Sequence, residues 1–247
     1  MKIFDAHLHI IDQRFPLIPN QGYLPDYFSC ADYLKSIDQL KVAGGVIVSG
    51  SFQGFDQSYL IDAIKTLGEN FVGVTQLPPD TSDEDIIKLN ESGVRALRFN
   101  INRGGLEIIN EMEYFAKRVH ELVNWHTELY IDSKQLPEIT ATVEKLPAVS
   151  IDHLGLSKAG LKNVLSLAAQ GVRVKATGFG RLDFDPAKAI RSIYAVNPDA
   201  LMFGTDLPST RAERPFQLSD VDMIMNTLEE TQAEKVLYKN TLEWYIK

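Results

Sequence analysis

Cysteine is almost missing from this chain. Cys30 is the only one in 247 residues, which excludes an intrachain disulfide and makes a reducing cytoplasm the expected compartment. Nothing beside it in the sequence would activate it as a nucleophile. Positive charge is also scarce: 25 Lys and Arg stand against 33 Asp and Glu, a net charge of −8. Nucleic acid and anionic membranes both demand a broad positive field, so neither is an expected partner. An anionic small molecule would have to be met by a few local basic residues. No apolar run approaches the roughly 20 residues of a membrane helix, and the N-terminus lacks the basic start and long apolar core of a secretion signal. A homo-oligomer is compatible with this composition, which says nothing further about assembly.

What the chain does have is apolar residue in quantity, 45% of the total, arranged in a repeating pattern. An apolar stretch at 4–10 is followed by a Pro-, Tyr- and Asn-rich loop at 12–28 and then by a helical pattern from an N-cap at Ser29 to about Val42. Gly44 and Gly45 read as its stop, before a buried strand at 46–48. The same order recurs as helix 57–67 and strand 71–77, helix 82–90 and strand 94–100, then helix 110–125 and strand 128–132. It continues as helix 135–146 and strand 149–153, helix 161–170 and strand 172–178, helix 186–196 and strand 200–205, with helices at 218–229 and 233–245 closing the chain. Eight strands, each followed by a helix, in about 250 residues are the arithmetic of an α/β TIM (β/α)8 barrel. No composition break divides the chain, so residues 1–247 are expected to form a single domain.

In such a barrel the active site lies at the C-terminal ends of the strands. His7 and His9 are two apart on the first strand and so share a face, with Phe4, Ala6, Leu8 and Ile10 expected on the other. Two imidazoles side by side suit metal ligation or acid–base work, or simply a hydrogen-bonded pair at a strand end. The other strand ends supply Arg98 and Asn100, Tyr130 and Asp132, His153, Lys175 and Thr177, and Asp206. His120 and His126 fall on and just after a helix and read as structural. Arg98, Arg103, Lys175 and Arg181, on an acidic protein, suggest a substrate that carries a carboxylate. Salt bridges to Asp132, Asp183 or Asp185 are the alternative use of these cations. Tyr23 and Tyr27 in the first long loop are placed to close over a ligand or to anchor the loop.

Three motifs carry a family resemblance: Asp5-x-His7-x-His9, Ile151-Asp152-His153-x-Gly155 and Phe203-Gly204-Thr205-Asp206-x-Pro208. With the segments 94–100, 125–131, 175–181 and 238–240, the chain resembles the amidohydrolase superfamily, its amidohydrolase-2 branch, and within it the 2-pyrone-4,6-dicarboxylate lactonase and sugar-lactone hydrolase group. The resemblance implies a cytoplasmic hydrolase that opens a lactone ring in a small carboxylated molecule. Asp206 would activate water, His7, His9 and His153 would polarise the carbonyl, and Arg98, Asn100, Tyr130, Lys175 and Arg181 would bind substrate. The strand-five position that often holds a histidine in metal-dependent relatives is Tyr130 here, a poor zinc ligand. The resemblance therefore leaves open either no cofactor or one divalent ion, zinc foremost, on His7, His9 and Asp206. A metal-dependent decarboxylase of the same superfamily and an inactive acid-binding barrel are the other readings.

Overall fold

The structure, a computed structural model, describes residues 1–104 and 109–246. Eight parallel strands follow one another around a single sheet in chain order. They are β1 (Ile3–Leu8), β2 (Val42–Val48), β3 (Phe71–Thr75), β4 (Val94–Asn100), β5 (His126–Tyr130), β6 (Val149–Ile151), β7 (Arg173–Ala176) and β8 (Leu201–Phe203). Just beyond β8 the chain closes onto β1, with Asp206 N donating to the His7 carbonyl at 2.7 Å and His9 N to the Leu207 carbonyl at 2.8 Å. Helices lie between successive strands, so the fold is the expected TIM barrel. No described helix is long and apolar enough to cross a membrane.

Local chemistry sets the helix starts. Ser29 accepts from Asp32 N while Asp32 accepts from Ser29 N, a reciprocal cap on helix Cys30–Ser36. Asp185 caps Pro186–Val196, whose first residue is a proline that has no N–H to lose there. Helix Pro186–Val196 and strand β4 have the expected bounds; most other elements differ by a residue or two at the ends.

The first helix and β2 depart furthest. The first helix stops at Ser36, and Gly44 and Gly45 lie inside β2 rather than at a helix end. A side chain at Gly44 would run into the Asn70 carbonyl and the Phe4 ring, so the pair serves close packing of strands, not helix termination. His126 comes just after helix Ile109–Val123, as expected, and opens β5.

The barrel interior is layered. At its base Phe4, Ala6, Val46, Val48, Val72, Val74, Ala96 and Met202 pack with Tyr245 from the last helix. Leu8 and Ile10 pack instead on the outer side with Tyr33 and Ile37. The expectation that Phe4, Ala6, Leu8 and Ile10 share one face is therefore corrected: the β1–β2 register slips between Asp5 and Leu8, reversing the alternation and re-aiming the side chains beyond the slip.

Above the apolar base lies a fully buried layer of charge. Lys175 Nζ is 2.6 Å from Glu128 Oε2, and the Tyr245 hydroxyl donates to Glu128 Oε1. Burial pushes the Glu128 carboxyl up, but the Lys175 ammonium and the His126 imidazole together outweigh it and draw it down to about 2. A carboxyl with a depressed folded value stabilises above its unfolded value, and that stabilisation is lost as pH falls from about 4.5 to about 2. Denaturant unfolding across this window should lose about 3 kcal/mol more in the wild type than in a Glu128→Gln/Lys175→Met double variant. Equal losses would show that the pair is not ionised.

Candidate active site

The mouth is assembled from strand ends and the turns just beyond them. His7 and His9 approach Nε2 to Nε2 at 3.3 Å, and His9 Nδ1 lies 2.7 Å from the Val48 carbonyl. Asp206 Oδ1 sits 3.8 Å from His7 Nε2 and 3.6 Å from His9 Nε2, while Oδ2 accepts from Arg181 Nε at 2.7 Å. His153 Nδ1 pairs with Thr177 Oγ1 at 2.8 Å. Both His153 and Asp206 have left-handed backbones, φ 52° and 59°, a conformation that Asp and His tolerate better than most residues and one that turns their side chains inward.

Asp5 holds the two ends of the barrel together. Its carboxylate accepts from His7 N, Thr205 N, Thr205 Oγ1 and Tyr33 Oη. A Cβ at Gly204 would lie 2.5 Å from His7 N and 2.9 Å from Asp5 Oδ1, so only glycine lets β8 come this close.

The charges at the mouth are strongly biased. Burial pushes Asp206 up, but Arg181, His153, His9 and His7 together outweigh it and hold the carboxyl well below the usual range. Asp152 is also raised by burial and more strongly lowered by Arg98, His7 and Lys175. Burial pushes the His7 imidazole down to about 4 against the pull of Asp152. It holds His153 well below its ordinary value against Asp206. At neutral pH Asp152 and Asp206 are therefore carboxylates, and His7 and His153 uncharged imidazoles.

A cavity of about 40 Å³ opens above it, lined on its floor by His9, His153, Arg98, Tyr130 and Arg181. Asn100, Arg103, Tyr23 and Arg211 form its wall. A second hollow of about 180 Å³ adjoins, sharing Ser51, Arg98, Asn100 and Arg103 and continuing over Phe55, Leu77 and Phe99. Arg211 lies over the Tyr23 ring at 4.4 Å. Desolvation and then the neighbouring Arg103 lower its affinity for its proton. Among the described residues neither Arg103 nor Arg211 is ion-paired with a carboxylate.

Of the residues expected here, His7, His9, His153, Asp206, Arg98, Asn100, Tyr130 and Arg181 come together. Lys175 does not line the cavity. It lies beneath His7, tied to Glu128, because its position on β7 faces the barrel axis one layer below the mouth. Arg98 is mostly committed to Asp152, at 2.7 and 3.1 Å, and to the Ser49 carbonyl, at 2.8 Å, with its plane over Tyr130. Asp132 turns away to cap the next helical turn and meet Ser157, and Tyr27 is exposed. Asp5, Glu128 and Asp152 were given no role by sequence reasoning. Asp5 and Asp152 carried a signal, being acids on or directly after largely apolar strands, where a buried charge needs a partner.

Residues 4–246 match the profile of the family described as Amidohydrolase. The chain belongs to that family. Among curated proteins, this amidohydrolase is 28% identical to a 2-pyrone-4,6-dicarboxylate hydrolase of Comamonas testosteroni over 232 residues, 83% of this chain and 76% of the relative. It is 25% identical to a 4-sulfomuconolactone hydrolase of Rhizobium radiobacter over 246 residues, 90% of this chain and 81% of the relative. A solved structure from Acinetobacter baumannii, described as a probable 2-pyrone-4,6-dicarboxylic acid hydrolase with citric acid bound, shares the fold with TM-score 0.86 at 22% identity, covering 99% of each chain. Another from Agrobacterium tumefaciens has TM-score 0.85 at 20% identity, covering 98% of this chain and 95% of that one.

Many amidohydrolases use a divalent ion, and the donor set of this one fits it. His7, His9 and Asp206 each offer one atom, all within 4.8 Å of one another. The 3.3 Å Nε2–Nε2 spacing equals the ligand–ligand edge of roughly 3.3 Å that tetrahedral zinc with 2.0–2.1 Å bonds requires. Asp206 Oδ1 is also buried without a hydrogen-bond partner among the described residues.

The Arg98–Asp152 pair is buried on both sides, with side-chain exposures of 3% and 0%. Arg98→Met should cost about 3–5 kcal/mol in denaturant unfolding, since it strands a buried carboxylate. Arg211→Met, at the rim, should leave stability within about 0.5 kcal/mol. Equal costs would show that the Arg98 pair does not hold the mouth.

Proposed function

We propose that this amidohydrolase opens the lactone ring of a small carboxylated substrate, working in the cytoplasm. The observation that carries this reading is the meeting, at one barrel mouth, of an ionised Asp206 whose Oδ1 has no hydrogen-bond partner among the described residues, the uncharged His7 and His153, and a cavity walled by Arg103 and Arg211, which lack carboxylate partners among the described residues. The curated relatives support it, since both are named for hydrolysis of anionic lactones.

The chemistry follows from the atoms. A water on Asp206 Oδ1 attacks the lactone carbonyl and gives its proton to that oxygen. Charge developing on the carbonyl oxygen is met by His153 and by the Tyr130 hydroxyl, both facing the cavity. The ring C–O bond then breaks, and the leaving oxygen takes the proton back, giving an open-chain acid. Arg103 and Arg211, on the wall of the same cavity, would grip a substrate carboxylate. The adjoining hollow over Phe55 and Leu77 accommodates a substituent on the ring. A divalent ion on His7, His9 and Asp206 would, when bound, act as a Lewis acid on the carbonyl.

The test is ring opening of a panel of lactones, with and without carboxylates, in the presence and absence of chelator. Carboxylated lactones should be turned over and neutral ones poorly. Asp206→Asn should lower kcat by about 10²- to 10⁴-fold, and Arg103→Met with Arg211→Met should raise KM for carboxylated substrates more than it lowers kcat. Release of carbon dioxide from an aromatic or β-keto acid by metal-loaded protein, with no lactone opened, would replace this reading by a decarboxylase. Binding of acids without any turnover would leave an inactive barrel.

A further inference from the structure

The hydrogen bonds beneath the histidines can be assigned donor by donor. The Val48 carbonyl oxygen only accepts, so His9 carries its proton on Nδ1, 2.7 Å away, and presents a lone pair at Nε2. His7 Nε2 faces that lone pair at 3.3 Å. On its other side His7 Nδ1 meets two groups, Lys175 Nζ at 3.4 Å and Asp152 Oδ1 at 3.6 Å.

An ammonium can only donate, and Lys175 is fixed in place on a fully buried stem by Glu128 at 2.6 Å. With Lys175 donating to Nδ1, the single proton of His7 sits on Nε2. Donors and acceptors then alternate without conflict from Lys175 through His7 and His9 to Val48. The other tautomer sets two lone pairs against each other at 3.3 Å and aims an N–H toward the ammonium, with only the more distant Asp152 oxygen to accept it.

We propose that Lys175 is a positioning residue that fixes His7 as its Nε2–H tautomer, so the His7–His9 pair rests hydrogen-bonded and admits a divalent ion only when the proton moves to Nδ1 beside Asp152. Histidines that ligate metal ordinarily donate from their remote nitrogen to a carboxylate or carbonyl. His9 obeys this through Val48, whereas the remote nitrogen of His7 has a cation nearest to it. The three donors thus fit an ion while the layer below them resists it. This inference concerns the resting state of the pair and stands whether or not the substrate is a lactone.

The readout is the tautomer itself. In the chelated full-length protein labelled with ¹⁵N-histidine, long-range ¹H–¹⁵N spectra at neutral pH should show His7 with Nε2 protonated and Nδ1 bare, the resonance being assigned by its loss in His7→Asn. Lys175→Met should reverse this, and Lys175→Met/Glu128→Gln, which removes both buried charges at once, covers the case in which the single variant does not fold. Zinc affinity, measured by calorimetry, should rise in the folded variant on the order of 10- to 100-fold. Removing a cation favours zinc by simple repulsion as well, so the spectrum decides. A wild-type His7 protonated at Nδ1, or a tautomer unchanged in the double variant, would overturn the proposal.

Discussion

A lysine ammonium with no exposure to water lies on the axis of this barrel, 2.6 Å from Glu128 and directly beneath His7. An isolated charge in that position would cost several kcal/mol or more, so its presence dictates the residues around it. Glu128 balances Lys175, Arg98 balances Asp152, and Tyr245 caps Glu128 from the last helix. The layer has two consequences. It ties the C-terminal helix to the barrel interior, and it sets the electrostatic floor on which the histidines and Asp206 stand.

The mouth inherits its properties from that floor. Net positive groups below and beside the site keep Asp152 and Asp206 ionised, while burial keeps His7 and His153 neutral. Neutral imidazoles and an ionised carboxylate are the states that general-base attack on a carbonyl requires at neutral pH. The arginines at the rim answer a different need. On a chain of net charge −8, the field opposes an anionic ligand, and Arg103 and Arg211 offset it locally at the cavity wall.

The order of the strands and the identity of most mouth residues were legible because periodicity and the TIM-barrel rule assign strand ends directly. His7, His9, His153 and Asp206 were found by type and position. Depth was not legible. Lys175 and Thr177 both looked like end-of-strand residues, yet β7 stops at Ala176 and Lys175 lies a layer below. The register slip in β1 was equally hidden, since nothing in Phe-Asp-Ala-His-Leu-His marks where alternation reverses. Gly44 and Gly45 misled because glycine stops helices and permits close strand contact by the same lack of a side chain. The roles of Asp152 and Glu128 were not legible because pairings across the barrel join residues that are far apart in sequence, Arg98 with Asp152 and Glu128 with Lys175.

The most direct test of this account is a crystal structure of the Asp206→Asn protein holding an intact carboxylated lactone. The ring carbonyl should face His153 and Tyr130, and the substrate carboxylate should lie within hydrogen-bond distance of Arg103 and Arg211. A carboxylate bound instead against the histidines, with the ring carbonyl turned toward the rim, would contradict it.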